Sequence, residues 1–149
     1  MSKTKLASAV LYLVVVAITF GMGIRFLTAS EYFAYHADAS GVAWSAVDPG
    51  LQVVFLAVFK VGGAGFLTVA LCLLVMVVFP FMRRDRPWSI YAIPACGALF
   101  WSIVLATTVY VTRTTPATAP WSGSLSNVVM IAVAFALSLI DRARSPAAR

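Results

Sequence analysis

Lys60 has the most unusual chemical setting in this sequence, because it is a cation inside an apolar segment that runs from Leu51 to Phe79. An ionisable group within a membrane-length segment is costly and often marks a binding or transport site. Counted from the outer end at about 1.5 Å per helical residue, Lys60 lies about 13 Å inside the segment; counted from the inner end it lies about 30 Å up, at the outer boundary. The sequence therefore leaves open an interfacial lysine and one that faces neighbouring helices. In the second case Glu31 is the first candidate for an ion pair and Asp48 the second.

Other polar residues are expected near the same level. Arg25 and Thr108 lie about 28–30 Å from the inner ends of their own apolar segments, and Asn127 lies about 20 Å up. These groups could line an outward-opening crevice with cations around it. The competing interpretation is that hydroxyl and amide groups bond to helix carbonyls or to each other, which is common in membrane helices. The candidate ligand-binding residues are Lys60, Arg25, Glu31, Thr108 and Asn127.

Gly62, Gly63 and Gly65 follow Lys60 directly. Small residues let two membrane helices approach closely, so these glycines predict a helix contact, including one with a second copy or another membrane protein. Gly63 is three residues from Lys60, a spacing that puts two side chains on neighbouring positions of a helix surface. This spacing slightly favours a lysine that faces the bundle.

Groups typical of catalysis or metal binding are sparse. His36 is the single histidine, and with Glu31 and Asp38 it would make only a weak metal site. Cys72 and Cys96 each lie about 12 Å from the inner face and could be neighbours. The favoured interpretation is that both pack as small apolar side chains. The sequence therefore predicts no catalytic residue, no metal and no cofactor, and it favours a non-enzymatic protein without settling the point.

The composition shows which elements must position these residues. Of 149 residues, 62% are hydrophobic and only 11% are charged, whereas soluble domains carry about 25% charged residues. Four apolar segments are long enough to cross a hydrocarbon core of about 30 Å. We predict one transmembrane domain over residues 1–149, an all-α integral membrane four-helix bundle. Its spans are residues 6–27, 51–79, 88–111 and 121–140.

One face of the first segment predicts how the helices pack. Ser8, Tyr12, Thr19 and Gly23 recur at helical spacing. Contact with lipid chains stabilises neither hydroxyl groups nor glycine, so this stripe should lie against neighbouring helices. The next segment has its own start signal, since Asp48 and Pro49 suit the cap and the first position of a helix.

The charges predict the orientation. The formal net charge is +6, but eight of the eleven basic residues flank the apolar segments on one side. This is the positive-inside pattern, and it puts both termini in the cytoplasm. Nucleic acid is not an expected partner, since no basic groove with interleaved aromatic residues is visible. The eight residues are Lys3, Lys5, Arg83, Arg84, Arg86, Arg142, Arg144 and Arg149.

A set of residues spread over most of the chain resembles a known group of proteins. The set is Tyr35, His36, Gly41, Trp44, Asp48, Pro49, Gly50, Gly62, Gly63, Pro80, Phe81, Arg83, Arg84, Pro120 and Trp121. Together they resemble a family of small four-helix bacterial membrane proteins, a domain of unknown function, and the four-span size loosely resembles that of DoxX-type membrane proteins. The resemblance implies a multi-pass protein of the bacterial cytoplasmic (inner) membrane and supplies no catalytic residues. It also implies an arginine where this chain has Lys60.

Three functional hypotheses follow from these observations. The first is a non-enzymatic interaction or small-ligand- and lipid-binding module in the lipid bilayer. The alternative is a small transporter or channel subunit with an outward-facing cationic crevice. A third is an oxidoreductase partner, which would need Cys72 and Cys96 within disulfide range.

Overall fold

The structure is a computed structural model that describes residues 1–83 and 86–144. Within these ranges the chain forms five α-helices and no strand. Four of them, with α3 extended by a π-helical turn, are long and apolar enough to cross a membrane, which confirms the all-α class and the four long apolar helices. The predicted cytoplasmic charges Arg84 and Arg149 lie outside the described residues. The helices are α1 (Lys3–Leu27), α2 (Ala34–Ser40), α3 (Pro49–Met76), the π turn (Val77–Phe81), α4 (Ser89–Thr114) and α5 (Trp121–Arg144).

Short-range polar contacts fix where the helices begin and end. The Ser2 hydroxyl accepts a hydrogen bond from the Lys5 amide at the start of α1. The Asp48 carboxylate accepts from two amides in the first turn of α3, which satisfies donors that have no partner within the helix. Gly41 ends α2 in the left-handed conformation, with a φ of 68°, where a residue without a Cβ is favoured. Pro80 lies inside the π turn, because it has no N–H to continue the α-helical pattern.

The four long helices form a ring in which α1 has the widest contacts, with α3 on one side and α5 on the other. α5 also packs against α4, and the ring closes through a narrower contact between α3 and α4. At this contact the Phe66 ring meets Phe100 edge to face, with 4.9 Å between centroids, and lies 6.0 Å from Trp101. The packed interior is therefore centred on α1.

The polar stripe of α1 lies in this interior, as predicted: Ser8, Tyr12, Thr19 and Gly23 are all buried. Ser8 Oγ lies 2.7 Å from both the Ala134 carbonyl oxygen and Ser138 Oγ on α5. Higher up, Thr19 Oγ1 donates to its own helix and accepts from the indole Nε1 of Trp101 on α4, at 3.2 Å. Hydroxyl groups thus tie α1 to both α5 and α4.

The helices α1 and α3 approach closely at a reciprocal contact between Gly23 and Gly63. A Cβ at Gly63 would lie 2.9 Å from the Gly23 carbonyl oxygen and 2.9 Å from the Leu27 amide nitrogen, both backbone atoms. Gly62 faces only Phe26, at 3.8 Å, and Gly65 has nothing within 4 Å. The glycine cluster therefore forms a contact within the chain through Gly63, and Gly65 is the member left open.

Candidate functional site

Lys60 does not share the packed face of α3. The buried residues of that helix are centred on Phe59, Gly63 and Phe66, whereas Lys60 is exposed. Successive residues of a helix are rotated by about 100°, so Lys60 lies about 100° from the centre of the stripe that begins at Phe59. On the helix surface Gly63 lies between Lys60 and the centre of this buried stripe. The three-residue spacing from Lys60 to Gly63 therefore does not bring Lys60 into the helix contact.

The depth of Lys60 follows from two contacts. Gly63 packs between Gly23 and Leu27, so Lys60, three residues nearer the start of α3, lies level with the end of α1. At the other end the Lys5 ammonium donates to the Met82 carbonyl at 3.1 Å, which puts these two residues at one level. The 22 residues from Met82 to Lys60 rise about 33 Å, slightly more than a hydrocarbon core of about 30 Å. Both measures support the interfacial interpretation.

Neither proposed carboxylate pairs with Lys60. Glu31 is exposed in the loop after α1, and the Asp48 carboxylate accepts the capping hydrogen bonds of α3. Among residues 1–83 and 86–144, no ion pair involves Lys60. The structure thus contains no desolvated Lys60 pair of the kind that the bundle-facing interpretation requires.

The other three candidate residues lie in separate surroundings. The Arg25 guanidinium stacks over the Phe33 ring at 4.6 Å, and Thr108 Oγ1 donates to carbonyls of its own helix at 3.0 Å. Asn127 is buried on α5, where its amide group donates to the Gly123 carbonyl at 2.9 Å and Oδ1 has no hydrogen-bond partner. In the part of the chain that the structure describes, no hydrogen bond or ion pair joins any two of the five candidates.

Asn127 nevertheless belongs to the polar interior. Eleven residues separate Ser8 from Thr19 on α1, and eleven separate Ser138 from Asn127 on the antiparallel α5. Each rises about 16 Å over that interval, so Thr19 and Asn127 lie at one level. The sequence predicts the α1 stripe but carries no signal for its partners on α5, since serine and asparagine also occur at the ends of apolar segments.

An outer aromatic cluster is formed by Phe26, Phe33, Tyr35, His36 and Phe59. Phe33 stacks on Phe59 with 5.2 Å between centroids, and the His36 ring lies 3.9 Å from Tyr35 and 5.1 Å from Phe59. Burial lowers the pKa of His36, an effect that the Phe33 carbonyl opposes only in part, and burial raises the pKa of Tyr35 against the nearby Arg25 charge. Among the described residues, no three potential metal ligands come together. The contacts of His36 are with the aromatic rings of this cluster.

At the opposite end an inner groove of about 680 Å³ opens beside the π turn. The Arg83 guanidinium covers one face of Phe79 at 4.9 Å from the ring centroid. The sequence predicts arginines at this end but gives no signal for the groove, which lies beside the π turn at Pro80. The groove is lined by Val75, Met76, Phe79, Pro80, Arg86 and Trp88.

The two cysteines are free thiols, and both are exposed on the outside of the bundle. Comparisons add no relative, since no protein-family model, curated protein or solved structure matches this chain. The function is therefore inferred from the chain's own residues and from the surfaces and the groove that they form.

Proposed function

We propose that this protein is a multi-pass integral protein of the bacterial cytoplasmic membrane, with both termini in the cytoplasm, that acts as a non-enzymatic interaction or small-ligand- and lipid-binding module. Four membrane-length apolar helices support the membrane assignment. Basic residues at one end of the bundle, among them Lys3, Arg83 and Arg142, support the orientation. Membership of the small four-helix bacterial family stays a prediction.

One observation supports the non-enzymatic part: several polar side chains of the spans hydrogen-bond to a neighbouring helix or to a carbonyl of their own helix. Ser8 and Ser138 join α1 to α5, Thr19 and Trp101 join α1 to α4, and Thr68 donates to the Ala64 carbonyl of its own helix. Such bonds stabilise membrane helix contacts. They leave the exposed surfaces and the inner groove as the places where the protein would meet another molecule.

A second copy or another membrane protein would use the outward face of α3. Gly65 and Thr68 are exposed there, next to Ala64, and a Cβ added at Gly65 would meet no atom within 4 Å. Small exposed residues permit close approach of another helix. Within the predicted partner contact through Gly62, Gly63 and Gly65, Gly65 is the member open to another molecule, because Gly63 packs against α1.

Purification from native membranes tests the proposal. The protein would be extracted with its lipids, and native mass spectrometry would identify any lipid or protein that remains bound in fixed stoichiometry. We expect at least one specific species. A monomer that retains no particular lipid, ligand or protein would contradict the proposal.

The alternative function, a small transporter or channel subunit, is favoured by one observation. Arg25, Lys60 and Arg113 are all exposed towards the outer end of the bundle, beside the exposed carboxylates Glu31, Asp38 and Asp48. An anion pathway would draw on the three cations. Anion flux in proteoliposomes that falls on Lys60→Met, with Arg144→Gln as a control at the other end, would favour this function over the first.

A further inference from the structure

We propose that the inner groove binds a phospholipid with an anionic headgroup, with the headgroup phosphate at Arg86 and an acyl chain along Val75, Met76 and Phe79. The inference rests on the proposed function, since it needs the inner end to lie at the cytoplasmic leaflet. It goes further by assigning a ligand class and a site.

The lining of the groove divides into two chemical parts. Val75, Met76, Phe79 and Pro80 form an apolar wall, and Arg86 provides a cation in the segment that leads into α4. Phosphate binds well to arginine, whose guanidinium donates several hydrogen bonds. A phospholipid has this same division between an anionic headgroup and an apolar chain.

The cation at the groove is available for a ligand. Arg86 is exposed, and its guanidinium makes no ion pair within the residues that the structure describes; only its backbone carbonyl is engaged, by Ser89. Arg142, by comparison, already donates to the Tyr91 hydroxyl at 3.1 Å. The neighbouring Arg83 stacks on Phe79 and adds a second positive charge beside the groove.

The apolar wall argues for a lipid over a soluble anion. Val75 is 45% exposed, Phe79 48% and Trp88 51%. A free phosphate would contact only the cationic part of the groove, whereas a phospholipid would contact both parts. Tryptophan is also enriched at the membrane interface, where Trp88 would lie beside the headgroup. Basic pockets between membrane helices on the cytoplasmic side are known to hold anionic headgroups.

A π turn lies beside the groove and contributes Phe79 and Pro80 to its lining. Pro80 cannot donate the backbone hydrogen bond that an α-helix needs, and the chain accommodates it by a π turn from Val77 to Phe81. Such turns are frequent at functional sites. Val77 and Phe81 are buried against the bundle, while Phe79 points outwards into the groove.

The test uses Trp88 as the reporter. The full-length protein would be reconstituted in phosphatidylcholine vesicles with increasing fractions of brominated phosphatidylglycerol, and quenching of tryptophan fluorescence would be compared with that by brominated phosphatidylcholine. Trp88→Phe identifies the contribution of Trp88. We expect phosphatidylglycerol to quench Trp88 at a much lower mole fraction than phosphatidylcholine does.

Arg86→Gln should shift the half-quenching fraction about fivefold upwards, which corresponds to about 1 kcal/mol per cationic residue at an anionic surface. Arg144→Gln is the matched control, because it removes one exposed cation from the same end but outside the groove, and it should cause little change. Equal shifts in both variants, or no preference for phosphatidylglycerol, would overturn the proposal.

Failure of this site would differ from failure of the proposed function. If native mass spectrometry shows a specific bound species while the quenching shows no preference, the groove assignment alone is wrong. If the inner end proves to lie outside the cytoplasm, the proposed function fails whatever the quenching shows.

Discussion

Gly63→Ala tests the glycine contact that joins α1 to α3. The added Cβ would lie 2.9 Å from two backbone atoms of α1, where ordinary van der Waals contact begins at 3.4 Å. Backbone cannot rotate away as a side chain does, so the two helices must separate by the difference, about 0.5 Å. Overpacking of this kind costs about 1–3 kcal/mol.

Gly65→Ala is the matched control for this change. It lies two residues further along the same helix and has nothing within 4 Å of its added Cβ. Both substitutions gain the same helix propensity, up to about 1 kcal/mol. The difference in unfolding free energy between the two variants therefore measures the cost of the contact itself.

Denaturation in detergent, followed by the helical circular dichroism signal, would provide that difference. In the detergent-solubilised monomer, where no partner covers Gly65, we expect Gly65→Ala to be neutral or stabilising and Gly63→Ala to be less stable than Gly65→Ala by about 1–3 kcal/mol. If the two variants unfold at the same denaturant concentration, the packing of α1 on α3 is not as described.

Three further predictions concern the polar and charged groups. A double-mutant cycle of Ser8→Ala and Ser138→Ala, measured by the same denaturation assay, should give a coupling free energy of about 0.6 kcal/mol, which is typical of hydrogen bonds between membrane helices. A coupling of zero would contradict the 2.7 Å hydrogen bond between the two hydroxyl groups. Burial lowers the pKa of His36 below its usual value of about 6.5, so the folded protein binds a proton less readily than the unfolded chain and its stability should fall as the pH drops below about 6.5. The melting temperatures of the protein and of His36→Phe should therefore diverge over this pH range. Parallel curves would exclude the effect. Lys60→Leu should change the free energy of unfolding by no more than about 0.5 kcal/mol. Its effect should add to that of Glu31→Gln, because the two exposed residues form no pair. Non-additive effects would be evidence for an ion pair between them.

The four long helices were predictable from the sequence because apolar length alone nearly decides them, whereas the short α2 was not predicted. Asp48 and Pro49 also mark the start of α3 by simple capping chemistry, and the face of Ser8 and Thr19 identifies the packed side of α1. These signals are local, so they need no knowledge of the partner helix.

The candidate site was less predictable, because it depends on how helices rotate and where they cross. Lys60 is exposed since the contact of α3 is centred on Phe59 and Gly63, and sequence spacing does not give that centre. The inner groove lies beside a π turn at Pro80, whereas a proline in a sequence indicates only a break or kink in a helix. Asn127 lies at the same level as Thr19 because of the register between α1 and α5. That register is known only from the contact between Ser8 and Ser138.

Cysteine labelling of the topology tests the central claim most directly. In a Cys72→Ser, Cys96→Ser background, single cysteines would be placed at three exposed positions by Lys3→Cys, Ser45→Cys and Ala143→Cys. A membrane-impermeant maleimide should label Ser45→Cys in intact cells, and Lys3→Cys and Ala143→Cys only after the membrane is opened. Labelling of either terminal position in intact cells would contradict the four-span protein with both ends in the cytoplasm.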